Sequence, residues 1–283
     1  MKIAVLADIH ANYPALLEVA EHLQGWGPDL VFVAGDTVNR GPRPAECLRL
    51  VQEKVRNEGW KVIRGNHEDY VIVHSQDDAP REGPLFDLFY YSYWTYEKLG
   101  CDTTDLEGLP EEFSQTVAND GEFRGVHASM RGNRRGIYPE MADSTLKKLI
   151  APPPAVLAVG HTHRPLVRKI DETLVVNAGS VGLPFDGNHR AAYAQIQSSN
   201  GDWTAKIIRL PYDIAQTKQD YVETGFVDDA GPLARLIRLE LEHSLSQLYQ
   251  WMNRYMDLVL AGEISVAAAA DEYLQNPLIK PYW

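Results

Sequence analysis

Five short polar clusters in this sequence carry side chains suited to binding metal ions or moving protons. They are Asp8-Ile9-His10, Gly35-Asp36, Gly65-Asn66-His67-Glu68, Gly125-Val126-His127 and Gly160-His161-Thr162-His163. Carboxylate, imidazole and carboxamide together make a mixed oxygen and nitrogen donor set. That set suits Mn²⁺, Fe or Zn²⁺ rather than the all-oxygen cage of Ca²⁺. At an extended strand end, residues i and i+2 point the same way, so the D-x-H and H-x-H spacings would turn both members toward one pair of ions. The glycines ahead of the ligands would let the backbone turn sharply. Singly, a Gly-Asp pair or one H-x-H is commonplace. Five clusters in succession, each directly after an apolar run, form a joint signal.

The elements that must position these clusters are legible as alternating periods. Residues 3–7 are a continuous apolar run, as a strand buried on both faces should be. Pro14 opens a helical stretch with apolar Leu16, Leu17, Val19, Ala20 and Leu23, closed by Gly25 and Gly27. Residues 30–34 read as a second strand, 44–55 as a second amphipathic helix and 60–63 as a third strand. This rhythm predicts right-handed βαβ crossovers and a largely parallel sheet. In such sheets ligands bind beyond the carboxyl ends of the strands, where all five clusters would converge.

Residues 75–80 read as a loop. Residues 86–96 read as an aromatic-rich helix with Phe86, Phe89, Tyr90, Tyr93, Trp94 and Tyr96, either packed on the sheet or lending a ring to a pocket as a lid. Asn119-Asp120-Gly121 is a hairpin turn between strands at 113–118 and 122–127. Three prolines at 152–154 form a stiff connector before a strand at 155–159. Residues 166–170, 174–177, 191–197 and 203–210 read as antiparallel strands joined by tight turns. From Leu233 to Val259 apolar residues recur every three or four positions, a single helical stripe. That helix either docks on the core or pairs with a second subunit in a homo-oligomer. The expected division is one domain over residues 1–210 and a helical extension over 211–283.

Composition narrows the function. Of 283 residues, 45% are apolar and 23% charged, and the formal charge is 27 − 39 = −12. Such a surface repels an extended polyanion, which argues against a stable nucleic-acid complex and against a nuclease. A small phosphorylated substrate is compatible, because bound cations reverse the field locally. No segment approaches the roughly 18 apolar residues of a membrane span, and Asp8 ends the first apolar run too early for a signal peptide. Cys47 and Cys101 lack C-x-x-C spacing and read as reduced, buried thiols. A cytoplasmic protein with no membrane partner is expected.

At the five clusters the chain resembles the calcineurin-like metallophosphoesterase superfamily, whose motifs D-x-H, G-D, G-N-H-[DE], G-H and G-H-x-H stand here in order. The resemblance runs over roughly residues 1–210, about three quarters of the chain. It implies an α/β fold, a four-layer α/β/β/α sandwich with mixed sheets, and two divalent metal ions, with Mn²⁺ the expected activator. It assigns Asp8, His10 and His163 to the first ion, Asn66, His127 and His161 to the second, and Asp36 to both. His67 becomes the catalytic histidine beside the leaving group. Two such ions would clamp the attacking and leaving oxygens at phosphorus, and a bridging hydroxide would be the nucleophile. His67 would act as general acid, with Glu68 or Asp69 orienting its ring.

Two segments resemble a narrower group. Gly35-Asp36-Thr37-Val38-Asn39-Arg40-Gly41 and Arg64-Gly65-Asn66-His67-Glu68 are similar to signatures of serine/threonine phosphoprotein phosphatases and diadenosine tetraphosphate hydrolases. Arg40 matches that group's phosphate-binding arginine; Asn39 departs from it, standing where the group has the Asp that pairs with the catalytic histidine. After His127 comes an arginine-rich loop, Arg131-Gly132-Asn133-Arg134-Arg135, with Arg131 taken as a substrate contact. Arg40 and this loop point toward a terminal phosphate or a polyphosphate chain, so a dinucleoside polyphosphate or a phosphoprotein is a candidate substrate. Asn177-Ala178-Gly179-Ser180 and the residues to Pro184 resemble a glycine-rich turn that supports the site. A non-catalytic interaction scaffold on the same fold is the competing reading, and His67 with a full ligand set argues against it.

Overall fold

Strand β1 (Lys2–Leu6) leads through a loop to helix α1 (Tyr13–Trp26), β2 (Leu30–Val33) to α2 (Pro44–Glu58), and β3 (Lys61–Val62) to α3 (Asn66–Ile72). The structure, a computed structural model, describes residues 1–199 and 201–281. Helices α4 (Pro84–Leu88), α5 (Tyr90–Lys98) and α6 (Thr104–Glu107) precede the hairpin of β4 (Glu112–Val117) and β5 (Gly121–Val126). Then come α7 (Asp143–Leu149), β6 (Val156–Val159), β7 (Leu166–Ile170), β8 (Thr173–Asn177), β9 (Ala191–Ser199) and β10 (Asp202–Leu210). Five helices close the chain: α8 (Ile214–Glu223), α9 (Phe226–Asp229), α10 (Ala234–His243), α11 (Leu248–Leu260) and α12 (Val266–Gln275).

The strands form two five-stranded sheets, β10-β9-β1-β2-β3 and β4-β5-β6-β8-β7. β1 pairs parallel with β2 and antiparallel with β9, and β6 lies parallel to both β5 and β8. The two-residue period of β1 explains the layering. Ile3, Val5 and Ala7 meet Phe123, Val156, Ala158 and Val176 of the other sheet, while Ala4 and Leu6 meet Leu16 and Val19 of α1. The outer face of the second sheet buries Leu157, Val159 and Val175 under Leu146 and Leu149 of α7. Helix, sheet, sheet, helix is the four-layer order.

Four expectations are corrected. The strands after residue 160 are not one antiparallel run: β8 and β9 belong to different sheets, and only β7–β8 and β9–β10 pair as antiparallel neighbours within it. The 86–96 helix breaks at Phe89 into α4 and α5; Leu88, Tyr91 and Trp94 are buried against the C-terminal helices. The C-terminal stripe is split, because Ser244 takes a left-handed backbone (φ 52°) and the chain turns about the Glu240 carboxylate. That carboxylate accepts hydrogen bonds from Gln247 N and Leu248 N at 2.8 and 2.9 Å. Cys101 is exposed, whereas Cys47 is buried; both thiols are free.

Helices α8–α12 dock on the chain itself. Their core joins Trp251, Tyr255 and Tyr273 to Phe226, to Trp94 of α5, and to Leu183 and Phe185 of the loop after β8. Among the described residues no helix is long and apolar enough to cross a membrane.

Candidate active site

The five clusters lie beyond the carboxyl ends of β1, β2, β3, β5 and β6, and the local backbone is not the extended one expected of D-x-H and H-x-H. Asp8, His10, Asp36, His161 and His163 all adopt left-handed φ between 48° and 69°, a conformation that costs non-glycine residues about 1 kcal/mol or more each. The loops are laced together to hold it. Asp8 N donates to Gly35 O at 3.1 Å, and His10 N donates to Asp36 O at 3.0 Å. Asn177 clamps the H-x-H turn, its amide donating to Gly160 O and Thr162 Oγ at 2.8 and 2.9 Å. Ser180 Oγ donates to Asp8 O at 2.6 Å and accepts from Leu183 N at 2.7 Å. Gly65 is required by contact: a Cβ there would stand 2.1 Å from Asp36 Oδ1.

These loops bring Asp8, His10, Asp36 and His163 together, all buried, with ligating atoms within 4.8 Å of one another. His10 Nδ1 donates to Asn39 O at 3.2 Å and His163 Nδ1 to Leu183 O at 2.5 Å. Each proton is therefore on Nδ1, and the two Nε2 lone pairs face each other across 3.1 Å. Two lone pairs have no hydrogen bond to make; a cation between them resolves the conflict, and the carbonyl partners orient both rings for it. Asp8 Oδ1 stands 3.5 Å from His163 Nε2.

A second group adjoins the first. Asn66 Oδ1 lies 2.9 Å from His127 Nε2 and 2.8 Å from His161 Nδ1. His127 is oriented by Ala34 O at 2.7 Å, and the backbone carbonyl of Arg134 takes a hydrogen bond from His161. Asp36 joins the two groups: its Oδ2 is 3.8 Å from His10 Nε2 and 3.3 Å from His127 Nε2. That oxygen is buried and has no hydrogen-bond partner among the described residues. The opposite oxygen accepts His67 N–H at 2.9 Å.

Protonation follows from this crowding. Burial pushes the Asp8 carboxyl well above its ordinary range against the pull of His127. Burial acts the same way on Asp36, but the imidazoles of His127 and His67 outweigh it and hold that carboxyl well below the usual range. Burial would lower His127 too, yet Asp36 beside it raises the imidazole to about 10. Burial takes His10, His67 and His163 well below the ordinary histidine value and His161 to about 4. Without an ion, the proton on His127 is the stand-in for a cation beside Asp36.

His67 is partnered by neither acid that the sequence offered. Glu68 is wholly buried and accepts four backbone N–H groups: Asp36 and Gly65 at 2.8 Å, Thr37 at 2.7 Å and Val38 at 3.2 Å. Asp69 pairs with Arg64 at 2.9 Å. Asn39 makes the contact, with Nδ2 3.1 Å from His67 Nδ1. Its orientation is set because its Oδ1 accepts Arg40 N–H at 2.9 Å. Arg40 is buried, its guanidinium 5.5 Å from the Phe185 ring, which stacks on His163 at 4.2 Å. Arg131 is exposed and donates from Nε to Lys148 O at 3.0 Å, beside α7. The loop's arginine beside His67 is Arg134, 5.0 Å from the Tyr70 ring, which meets His67 edge-on at 5.2 Å.

The four-donor role of Glu68, and Glu240, whose carboxylate pairs with Arg40, had no place in the motif reading, and Asn177 entered it only within the turn that supports the site. One signal was present for Glu240: it sits three residues after Ile237 and next to Leu241, on the apolar face of its helix.

Residues 1–200 match the calcineurin-like phosphoesterase superfamily domain. The crystal structure of a metallophosphoesterase from Sphaerobacter thermophilus is similar over 87% of this chain and 100% of its own, with TM-score 0.67 and 27% identity. The uncharacterised protein MJ0912 of Methanocaldococcus jannaschii is 27% identical over 241 residues, 78% of this chain and 92% of that protein. The phosphodiesterase YfcE of Escherichia coli K12 is 26% identical over 207 residues, 70% of this chain and 88% of that protein. A match that takes in every one of these strand ends places the chain in the calcineurin-like phosphoesterase superfamily, as a metal-dependent phosphoester hydrolase.

Proposed function

We propose that the protein hydrolyses phosphoesters at two divalent cations, one held by Asp8, His10, Asp36 and His163, the other by Asp36, Asn66, His127 and His161. The observation that carries this reading is the facing Nε2 pair of His10 and His163 at 3.1 Å beside two buried carboxylates. Such ions, when bound, polarise phosphoryl oxygens and supply a hydroxide near neutral pH; the imidazole–carboxylate set suits Mn²⁺, Fe or Zn²⁺. Asp36 reaches both groups, its Oδ2 lying 3.8 Å from His10 Nε2 and 3.3 Å from His127 Nε2. His67 does not bind metal in this reading. The Asn39 amide proton occupies its Nδ1, so its own proton stays on Nε2, available to the departing oxygen. To act as general acid the ring must first take up a second proton at Nδ1, in place of the Asn39 contact, a charge that burial opposes and Asp36 favours. Transfer from Nε2 to the departing oxygen then returns the neutral imidazole.

The test is turnover of p-nitrophenyl phosphate and bis(p-nitrophenyl) phosphate by Mn²⁺-loaded protein beside His67→Ala. A general-acid role predicts a loss of about 10²–10⁴-fold with metal content unchanged by elemental analysis. Equal background rates in both proteins would refute catalysis and favour a scaffold.

A dinucleoside polyphosphate substrate is a second reading, favoured by the half-buried Tyr70 and Phe89, whose rings lie 5.0 Å apart beside His67, with Arg134 over Tyr70. Flat rings with a stacked guanidinium suit a nucleobase. Turnover of diadenosine tetraphosphate no faster than that of simple aryl esters would count against it.

A further inference from the structure

We propose that Glu240 cancels the charge of Arg40 and thereby sets the enzyme to favour singly charged phosphodiesters over doubly charged phosphomonoesters. This inference rests on the phosphoester-hydrolase reading above and concerns which esters that site accepts.

Arg40 follows Asn39 in the loop after Asp36. Its guanidinium lies 5.5 Å from the Phe185 ring, which stacks on His163 at 4.2 Å, and Asn39 beside it in the chain touches His67. It is thus placed to act on whatever binds at the metal groups. That charge is already paired. Nη2 of Arg40 donates to Glu240 Oε2, and both side chains are buried, 10% and 0% exposed. The carboxylate cannot swing away, because Oε1 accepts from Ser246 Oγ at 3.2 Å, Gln247 N at 2.8 Å and Leu248 N at 2.9 Å. Arg40 is pinned from the other side as well, its carbonyl accepting the Tyr221 hydroxyl at 3.2 Å. Nε of Arg40 is buried with no hydrogen-bond partner among the described residues. The net charge of the guanidinium is thus spent on Glu240.

The consequence is differential. At neutral pH a monoester carries nearly two negative charges and a diester one. Removing one unit of positive potential from the site weakens the attraction of a dianion by twice as much as that of a monoanion. An uncompensated Arg40 would favour a terminal phosphate, as the sequence reading of this residue expected; the Arg40–Glu240 pair removes that advantage. Internal phosphates of a polyphosphate chain are singly charged and remain compatible. Glu240 lies on α10, beyond the residues matched by the superfamily domain, which end at 200. The preference is thus supplied by the C-terminal helices.

The experiment compares kcat/KM for bis(p-nitrophenyl) phosphate and p-nitrophenyl phosphate in Mn²⁺-loaded full-length proteins of graded charge. The wild-type ratio favours the diester. Glu240→Gln lowers the ratio by about tenfold or more, Arg40→Gln raises it by a similar factor, and the double variant, neutral like the wild-type pair, returns to within about threefold of it. Should Glu240→Gln fail to fold, as judged by circular dichroism, Arg40→Gln decides alone. A ratio unchanged within about threefold in a folded single variant, or a wild-type preference for the monoester, overturns the inference while leaving the hydrolase reading intact. No turnover of either ester by any of the metal-loaded proteins overturns both.

Discussion

Four imidazoles, those of the buried His10, His67 and His163 and of the half-buried His161, are held below the ordinary histidine range chiefly by loss of solvation. In the unfolded chain each takes up a proton near pH 6.5; in the folded, metal-free protein they stay neutral to lower pH. Below pH 6.5 the unfolded state therefore binds more protons, and stability falls as the pH drops from about 6.5 toward 4. His127 has the opposite sign. Its imidazole, raised to about 10 by Asp36 against burial, adds stability at low pH that is lost as the pH rises from about 6.5 through 10. Glu68, raised to about 7 chiefly by burial, and Asp8, raised likewise, favour the folded state as the pH drops. We expect the four imidazoles to outweigh them, so that the melting temperature of chelator-treated protein falls between pH 7 and 5, and added Mn²⁺ to raise it at pH 7. A flat profile over that interval would contradict the burial of neutral imidazoles. The ligand types were legible in the sequence because histidine and aspartate after apolar runs are individually visible. The partner of His67 was legible only through the resemblance, which sets Asn39 at the pairing position, whereas the neighbouring acids Glu68 and Asp69 pointed elsewhere.

At the scale of elements, one side chain does the work of a tether. Glu68 gathers N–H groups from Gly65, Asp36, Thr37 and Val38, binding the loop after β2 to the start of α3. Glu68→Ala strands four buried donors, so a loss of at least about 3 kcal/mol is expected, together with loss of activity. Denaturant unfolding measures the first; a change under 1 kcal/mol would show that water replaces the carboxylate. Elements with continuous apolar runs or clear helical periods, β1 through α2, stand within a few residues of where the sequence put them. The failures share a cause. Left-handed backbone at Asp8, His10 and Ser244 belongs to residue types that seldom adopt it, so neither the curled D-x-H turn nor the break between α10 and α11 left a local signature. Strand partnership is likewise non-local: apolar period alone could not tell that β8 would pair parallel with β6.

Over the whole molecule, the C-terminal helices are continuous with the site through packing. Trp251 is fully buried in a core that also holds Trp94, Tyr91 and Phe185, and Phe185 stacks on His163. Trp251→Ala should cost about 3–5 kcal/mol and, by loosening α11 against Glu240 and Phe185, lower kcat/KM more than metal content. Thermal melting and ester turnover on the same preparation check it; full activity in a destabilised protein would show that the helices only shelter the sandwich.

His10 and His163 are 153 residues apart in the chain and come from different sheets, so the pocket for the first ion does not exist until the two halves have closed on one another. Loops that long are expensive to shut before their contacts form. An ion can meet all four of Asp8, His10, Asp36 and His163 only in the closed assembly, where it acts as a rivet between the halves. Metal shortage is then expected to leave the two halves held by packing alone, without the stability that a bound ion adds.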